Sequence, residues 1–114
     1  MWFPGSHSDI GGSYKPDKDG SVLSDIALEW MIGEASEKGL TVEGHLRDDI
    51  KINPAGTLHD SRRSFYRIKR KFYRKLDHKK GEVIIHPSVK ARWEKDDKYR
   101  PANLKRYVEE NGWV

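Results

Sequence analysis

The chain has 114 residues, of which 35% are hydrophobic and 35% are charged, and its formal net charge is +4. This length suffices for one small domain, and the low apolar content allows only a thin hydrophobic core. The lack of cysteine excludes disulfides, thiol nucleophiles and cysteine-based zinc sites, and the lack of an apolar stretch of ~20 residues excludes a transmembrane helix.

Residues 1–14 begin with a short apolar run and continue as a glycine-rich segment. Trp2 and Phe3 are typical of the end of a strand, and the glycines and polar residues after them predict an irregular loop that carries His7 and Asp9. Because the unperturbed pKa of histidine lies near neutrality, a histidine on such a loop is suited to proton transfer. The spacing alone, however, favours an exposed turn histidine without a catalytic role.

The clearest helix is predicted between residues 21 and 39. Apolar residues recur there every three or four positions and therefore share one face, which we expect to pack on a core. They are Leu23, Ile26, Ala27, Trp30, Met31 and Ala35. Ser21 or Ser24 is suited to cap the start of this helix, and Gly39 is suited to end it in the left-handed conformation.

Three further helices are predicted in the second half of the chain, after an irregular stretch over residues 40–61 that contains a turn at NPAG. The first covers residues 64–76, the second follows Pro87 to residue 94, and the third covers residues 104–111. Short strands are expected at most over residues 2–3 and 83–85.

Residues 62–80 hold ten Lys or Arg and one acid, Asp77, whereas the rest of the chain has a net charge of −5. Three interpretations of this segment remain open: a solvated helix, a surface for anionic membranes, and a surface for nucleic acid, although no specific nucleic acid is expected. The cations that would contact a membrane are Arg62, Arg63, Arg67, Lys69, Arg70 and Lys71.

The sequence contains neither a recognisable metal site nor a local nucleophile. Its five histidines lack the short spacings of zinc ligands. They are His7, His45, His59, His78 and His86. A serine nucleophile would need a G-x-S-x-G elbow, and in the nearest match, GGSYK, Lys15 takes the place of the second glycine. We therefore expect no metal and no cofactor.

Several motifs resemble the C-terminal catalytic region of a microbial α/β-hydrolase family that includes the type VI secretion phospholipase effectors. WFPGSHSDIGGSY, followed by LSDIALEWMIGEA, is similar to the aromatic strand, Gly-x-His-x-Asp-x-Gly-Gly loop and Leu-x-Trp-Met helix of that family. LHDS, IHPSV and YRPANL are weaker similarities farther along the chain. Together these motifs extend over residues 2–104.

The resemblance implies that residues 1–114 are the C-terminal segment of one α/β-hydrolase-like catalytic domain. Such a fragment would be mostly α-helical, with one or two short strands and an incomplete sheet. In the triad order of serine, acid and histidine, His7 would be the general base, and Asp9 would orient the loop or cap the following helix. The serine and the triad acid would lie upstream, as in a truncated or frameshifted gene or one with a late start.

We therefore expect the C-terminal fragment of a serine-type lipase or phospholipase, with ester hydrolysis in the complete protein and none in the fragment alone. One alternative is a small basic module that binds anionic lipid or nucleic acid through residues 62–80, and another is a gene remnant without a function. Since no secretory signal is recognisable, we expect a cytoplasmic protein, and the resemblance implies longer relatives that are secreted without a signal peptide.

Overall fold

Short helices joined by long irregular segments make up residues 1–62 and 68–113, the parts of the chain that the computed structural model describes. The helices are α1 (His7–Gly11), α2 (Ser24–Glu37), α3 (Gly44–Asp48), α4 (Pro87–Lys95) and α5 (Ala102–Asn111). A 3₁₀ turn covers His78–Lys80. Helix α3 lies within the stretch that the sequence predicts to be irregular.

Helix α1 lies where the composition predicts an irregular loop, so that prediction is wrong for residues 7–11. Ser6 precedes the helix, and Asp9 is its third residue. The Asp9 carboxylate reaches back and accepts hydrogen bonds from the Ser6 N–H at 3.0 Å and the Ser6 hydroxyl at 2.9 Å. Ser-x-x-Asp is a helix-start signal, and these local bonds outweigh the low helix propensity of the segment.

The predicted helix between residues 21 and 39 is confirmed as α2, but only part of its apolar face is covered. Leu23 and Ile26 are buried. Trp30 packs against Phe3, with 5.6 Å between the ring centroids. Met31, in contrast, is 57% exposed. The face is therefore buried toward its N-terminal end and open to solvent farther along.

The two ends of α2 differ in how well the sequence predicts them. The serine cap is wrong, because Leu23 occupies the N-cap and the Ser21 hydroxyl donates to Asp19 at 2.6 Å instead. The glycine stop is confirmed: Gly39 has φ of +96°, and its N–H donates to the Ser36 carbonyl at 3.0 Å. A left-handed glycine there satisfies one of the last carbonyls of the helix.

Trp2 and Ile85 form an isolated parallel β-bridge, and the described ranges contain no longer strand or sheet. The Trp2 N–H donates to the Ile84 carbonyl at 2.8 Å, and the His86 N–H donates to the Trp2 carbonyl at 2.9 Å. The bridge joins the two places where short strands are predicted. Because Ile85 lies two residues before Pro87, the bridge holds the N-terminal residues beside the start of α4.

The basic helix predicted over residues 64–76 is wrong for residues 68–76, which form no α-helix; residues 63–67 lie outside the described ranges. In a helix, Arg70 would lie next to Arg74, and Lys71 next to Lys75, one turn apart. Like charges at this spacing destabilise a helix. Short isolated helices are marginal even without such repulsion.

Helices α4 and α5 confirm the two C-terminal predictions, with Pro87 at the first position of α4 and Gly112, at φ of +74°, after α5. They contribute three of the buried apolar residues to a small core. Within the described ranges the core comprises Leu23, Ile26, Val89, Leu104 and Tyr107. The accessible surface, 8817 Å², exceeds the roughly 6500 Å² of a compact protein of this mass.

None of the helices in the described part of the chain combines the length and the apolar character needed to cross a bilayer.

The predicted NPAG turn is confirmed, since its last N–H donates to its first carbonyl at 3.0 Å. Arg92 of α4 holds this turn from inside the molecule. Its guanidinium donates to the carbonyls of Pro54 at 3.0 Å and Gly56 at 2.6 Å, and lies 3.6 Å from the Asp96 carboxylate. The Tyr99 ring packs 5.4 Å from the guanidinium carbon, and burial raises the pKa of Tyr99 to about 12.

We expect the stability of the fold to decrease as the pH falls below 6.5, because His86 caps α4 in its neutral form. Its Nδ1 accepts from the Ser88 N–H at 3.2 Å, and burial lowers the pKa of His86, opposed by the charge of Glu29. A lowered folded-state pKa means that the unfolded chain binds the proton first, so acid favours unfolding. Loss of the cap lowers the free energy of unfolding by about 1 kcal/mol.

Urea unfolding over a pH series measures this effect. His86→Asn keeps a cap acceptor and should remove this part of the pH dependence. His45→Asn, which changes an exposed histidine, should leave the dependence unchanged. An identical pH profile for the parent chain and His86→Asn would contradict the cap.

Candidate functional site

Asp9 is the most buried charged side chain of the described residues, with 1% of its surface exposed. In addition to the two bonds from Ser6, its carboxylate accepts from the His59 backbone N–H at 3.1 Å. It also lies 2.7 Å from Nδ1 of the His59 ring. A buried carboxylate needs such donors, because leaving it unpaired would be very costly.

The turn before α1 allows Asp9 to fold back over the chain. Gly5 has φ of +122°, a conformation that side chains disfavour. A Cβ at this position would lie 2.5 Å from the Cβ of Asp9, which is closer than two carbons can approach. Glycine at position 5 is therefore required for the buried position of the carboxylate.

His59 reaches Asp9 through contacts that hold the segment after the NPAG turn. The Thr57 N–H donates to the Asp17 carboxylate at 2.9 Å, and this bond lowers the pKa of Asp17. The Arg92 guanidinium holds the Gly56 carbonyl from the other side. These two long-range contacts fix the backbone immediately before His59, so that its N–H and its ring meet the same carboxylate.

The contact between the His59 ring and Asp9 indicates which ring nitrogen carries a hydrogen. Since a carboxylate only accepts hydrogen bonds, the 2.7 Å contact places a hydrogen on Nδ1, so that in a neutral ring the lone pair lies on Nε2. The His59 side chain is 22% exposed, compared with 1% for Asp9. A buried acid behind a partly accessible imidazole is the arrangement in which histidine acts as a general base.

Tyr14 covers one face of the His59 ring. The two rings are stacked, with 3.7 Å between their centroids and 12° between their planes. Ser13, just before Tyr14, has φ of +106°, which is strained for a residue with a side chain. The stack and the Asp9 contact together restrict the rotation of the imidazole.

His7, the predicted general base, lies on the exposed side of α1 and has no hydrogen-bond partner among the described residues. Asp9, predicted to orient the loop or cap a helix, caps α1 itself and joins His59. Sequence reasoning missed His59 because this residue lies 50 positions from its partner. The signals available were the Ser-x-x-Asp cap at Ser6 and the LHDS motif.

The remaining histidines occupy different settings. His86 caps α4, His78 lies 3.3 Å from the Tyr107 hydroxyl, and His45 is exposed beside Glu43. Within the described ranges, no cluster of three or more His, Cys, Asp or Glu could hold a metal ion. No serine hydroxyl described here bonds to the His59 ring.

Comparison with known proteins finds a match between the N-terminal part of the chain and a phospholipase family. The family described as "T6SS, Phospholipase effector Tle1-like, catalytic domain" matches residues 1–34, which include α1 and Asp9 but not His59. The chain is also 38% identical, over 60 residues, to "Uncharacterized protein YEL023C" of Saccharomyces cerevisiae. That match covers 52% of this chain and 7% of the yeast protein. No solved structure matches the chain.

Proposed function

We propose that Asp9 and His59 are the acid and the base of a serine-hydrolase-type site that cleaves carboxylic esters such as phospholipids. The observation that carries this proposal is the 2.7 Å contact between the buried Asp9 carboxylate and Nδ1 of a partly exposed imidazole. The match of residues 1–34 to a phospholipase catalytic domain supports the class of substrate.

In this proposal Nε2 of His59 takes the proton from a serine hydroxyl as its oxygen attacks the ester carbonyl. Asp9 keeps the hydrogen on Nδ1 and stabilises the imidazolium that forms. The same Nε2 then gives the proton to the departing alcohol, and a water molecule repeats the cycle to release the acid. In this proposal the nucleophilic serine comes from a part of the catalytic domain that the motifs of this chain do not include.

His59 is favoured over His7 as the base because it has both an acid partner and a fixed ring. His7 is exposed and unpaired among the described residues, so nothing orients its imidazole. An unoriented imidazole lacks the positioning on which triad catalysis depends. The role predicted for His7 stays a prediction, and the same variants test it.

The α/β-hydrolase fragment is likewise part of the proposal. The parallel bridge between Trp2 and Ile85 supports it, because parallel pairing is typical of such sheets. In open α/β folds, functional residues follow the carboxyl ends of parallel strands. The loop and helix that carry Asp9 begin shortly after Trp2.

Asp9→Asn is expected to reverse the tautomer of His59 in this chain without unfolding it. Three donors converge on Oδ2, from Ser6 N–H, Ser6 hydroxyl and His59 N–H, so the introduced amide keeps its oxygen there. Its NH₂ then faces the ring and donates to Nδ1, which transfers the ring hydrogen to Nε2. Long-range ¹H–¹⁵N NMR of the neutral imidazole reports the tautomer.

Ser6→Ala is the matched control, since it removes one donor to Asp9 but leaves the contact with the ring. It should weaken the start of α1 and keep the Nδ1–H tautomer. An Nε2–H tautomer of His59 in the parent chain would contradict the proposed acid–base pair.

A further inference from the structure

Residues 68–75, here called the 68–75 loop, form an exposed surface segment with an unusual combination of side chains. Five of its eight residues are Lys or Arg, and none is acidic. Its three remaining residues are Ile68, Phe72 and Tyr73. Because no apolar residue of the loop belongs to the buried core, the side chains are available to contact something outside the molecule.

Two side chains of the loop, Ile68 and Phe72, are far more exposed than the large apolar side chains elsewhere in the described ranges. Ile68 is 83% exposed and Phe72 is 86% exposed. Among the described residues, the next most exposed large apolar side chain is Met31, at 57%. Exposing an aliphatic and an aromatic side chain almost fully to water is unfavourable, and such residues commonly mark an interaction surface.

Four of the five cations of the loop lack an ion pair with a described acid. Arg70, Lys71, Arg74 and Lys75 form no ion pair within the described ranges, although many other cations of the chain do. Exposed like charges so close together repel one another, and an external anionic surface would relieve that repulsion. The loop therefore fits an anionic partner.

The ends of the loop are attached to the body of the protein, so the loop is held outward. The Asn103 side chain of α5 donates to the Arg74 carbonyl at 2.8 Å. At the other end, Arg62 donates to the Lys69 carbonyl at 3.3 Å. Beside the loop, an open cavity of about 570 Å³ is lined by apolar side chains that include Trp2 and Val83 and by charged ones that include Asp77 and Glu82.

We propose that the 68–75 loop docks on the surface of an anionic lipid bilayer. Clusters of Lys and Arg are attracted to anionic headgroups, and apolar side chains among them insert at the boundary with the acyl chains. Lipid is favoured over nucleic acid because Ile68 has no aromatic face on which a base could stack. Insertion into a bilayer would bury Ile68, Phe72 and Tyr73 together.

Docking on a bilayer involves neither Asp9 nor His59, so it is independent of the proposed hydrolase site. It would bring a lipid-cleaving site to its substrate. Asp9→Asn should accordingly bind vesicles as the parent chain does. This variant separates a failure of docking from a failure of the proposed chemistry.

Vesicle co-sedimentation of the full chain tests the proposal. Vesicles of phosphatidylglycerol and phosphatidylcholine in equal parts should bind the chain, and vesicles of phosphatidylcholine alone should bind at least about tenfold more weakly. Ile68→Ser with Phe72→Ser should weaken binding at least about tenfold, because burial of each apolar side chain contributes to the binding free energy. Lys71→Gln with Lys75→Gln should weaken it similarly, and ~1 M salt should weaken it further.

Two matched variants control for general effects of charge and hydrophobicity. Met31→Ser removes an exposed apolar side chain from α2, and Lys90→Gln with Lys105→Gln removes two cations from α4 and α5; both should bind as the parent chain does. Equal binding to the two kinds of vesicle would overturn the proposal. So would equal losses in loop and control variants, or binding to a single-stranded oligonucleotide in place of vesicles.

Discussion

His59→Ala is expected to lower kcat/KM for ester hydrolysis about 10⁴-fold in a polypeptide that joins this chain to a segment bearing a nucleophilic serine. The substitution removes the imidazole that takes the serine proton. Asp9, 2.7 Å behind that ring, would then have no group to orient. Steady-state hydrolysis of a short-chain phospholipid analogue measures the loss.

His7→Ala in the same polypeptide is expected to lower kcat/KM by less than about tenfold, because the exposed His7 has no acid partner among the described residues. His45→Ala, at an exposed histidine of α3, is the matched control and should have no effect. A large loss for His7→Ala with little loss for His59→Ala would assign the base to His7. That result would reject the pair proposed here.

Arg92→Met is expected to destabilise the fold by about 3 kcal/mol, the largest effect on stability that we predict. The side chain is 7% exposed, and its removal leaves the carbonyls of Pro54 and Gly56 without their donor. The pair with Asp96 contributes less, because that carboxylate is 35% exposed and the distance is 3.6 Å. Since small domains are stable by only about 5–15 kcal/mol, a loss of this size should be obvious in urea unfolding.

Arg106→Met is the matched control for the Arg92 prediction. Arg106 pairs with Glu110 at 2.8 Å, but its side chain is 75% exposed, so solvent screens the pair and it contributes little to stability. The Arg92 substitution should also release His59 from Asp9, because it frees the turn just before His59. Equal urea midpoints for the two variants would show that Arg92 does not hold the turn.

The helices were predictable where short-range signals determine them. Apolar spacing placed α2, Pro87 placed the start of α4, and Gly112 placed the end of α5. Each signal acts between residues within about one helical turn, so it can be read directly from the order of residues. The helix predicted over residues 64–76 is wrong for residues 68–76 because the prediction used apolar spacing alone. It neglected the repulsion between cations one helical turn apart, which is also a short-range effect.

The candidate site was predictable only in part. Asp9 was recognised as a residue of interest, and its cap with Ser6 is itself a local signal. Its second partner, His59, lies 50 residues away, and no local pattern specifies a contact over that distance. The local composition does not distinguish His7 from His59 as the partner of an acid, since both are single histidines in polar segments.

By itself, the sequence excluded disulfides and thiol nucleophiles, and it predicted three of the helices. It also showed the excess of positive charge in residues 62–80. Only the tertiary structure decided which histidine meets the buried carboxylate. That choice depends on the Thr57–Asp17 and Gly56–Arg92 contacts, which join residues 40 and 36 positions apart. Such contacts form only when the chain folds back on itself, so the pairing of Asp9 with His59 is a property of packing rather than of local sequence.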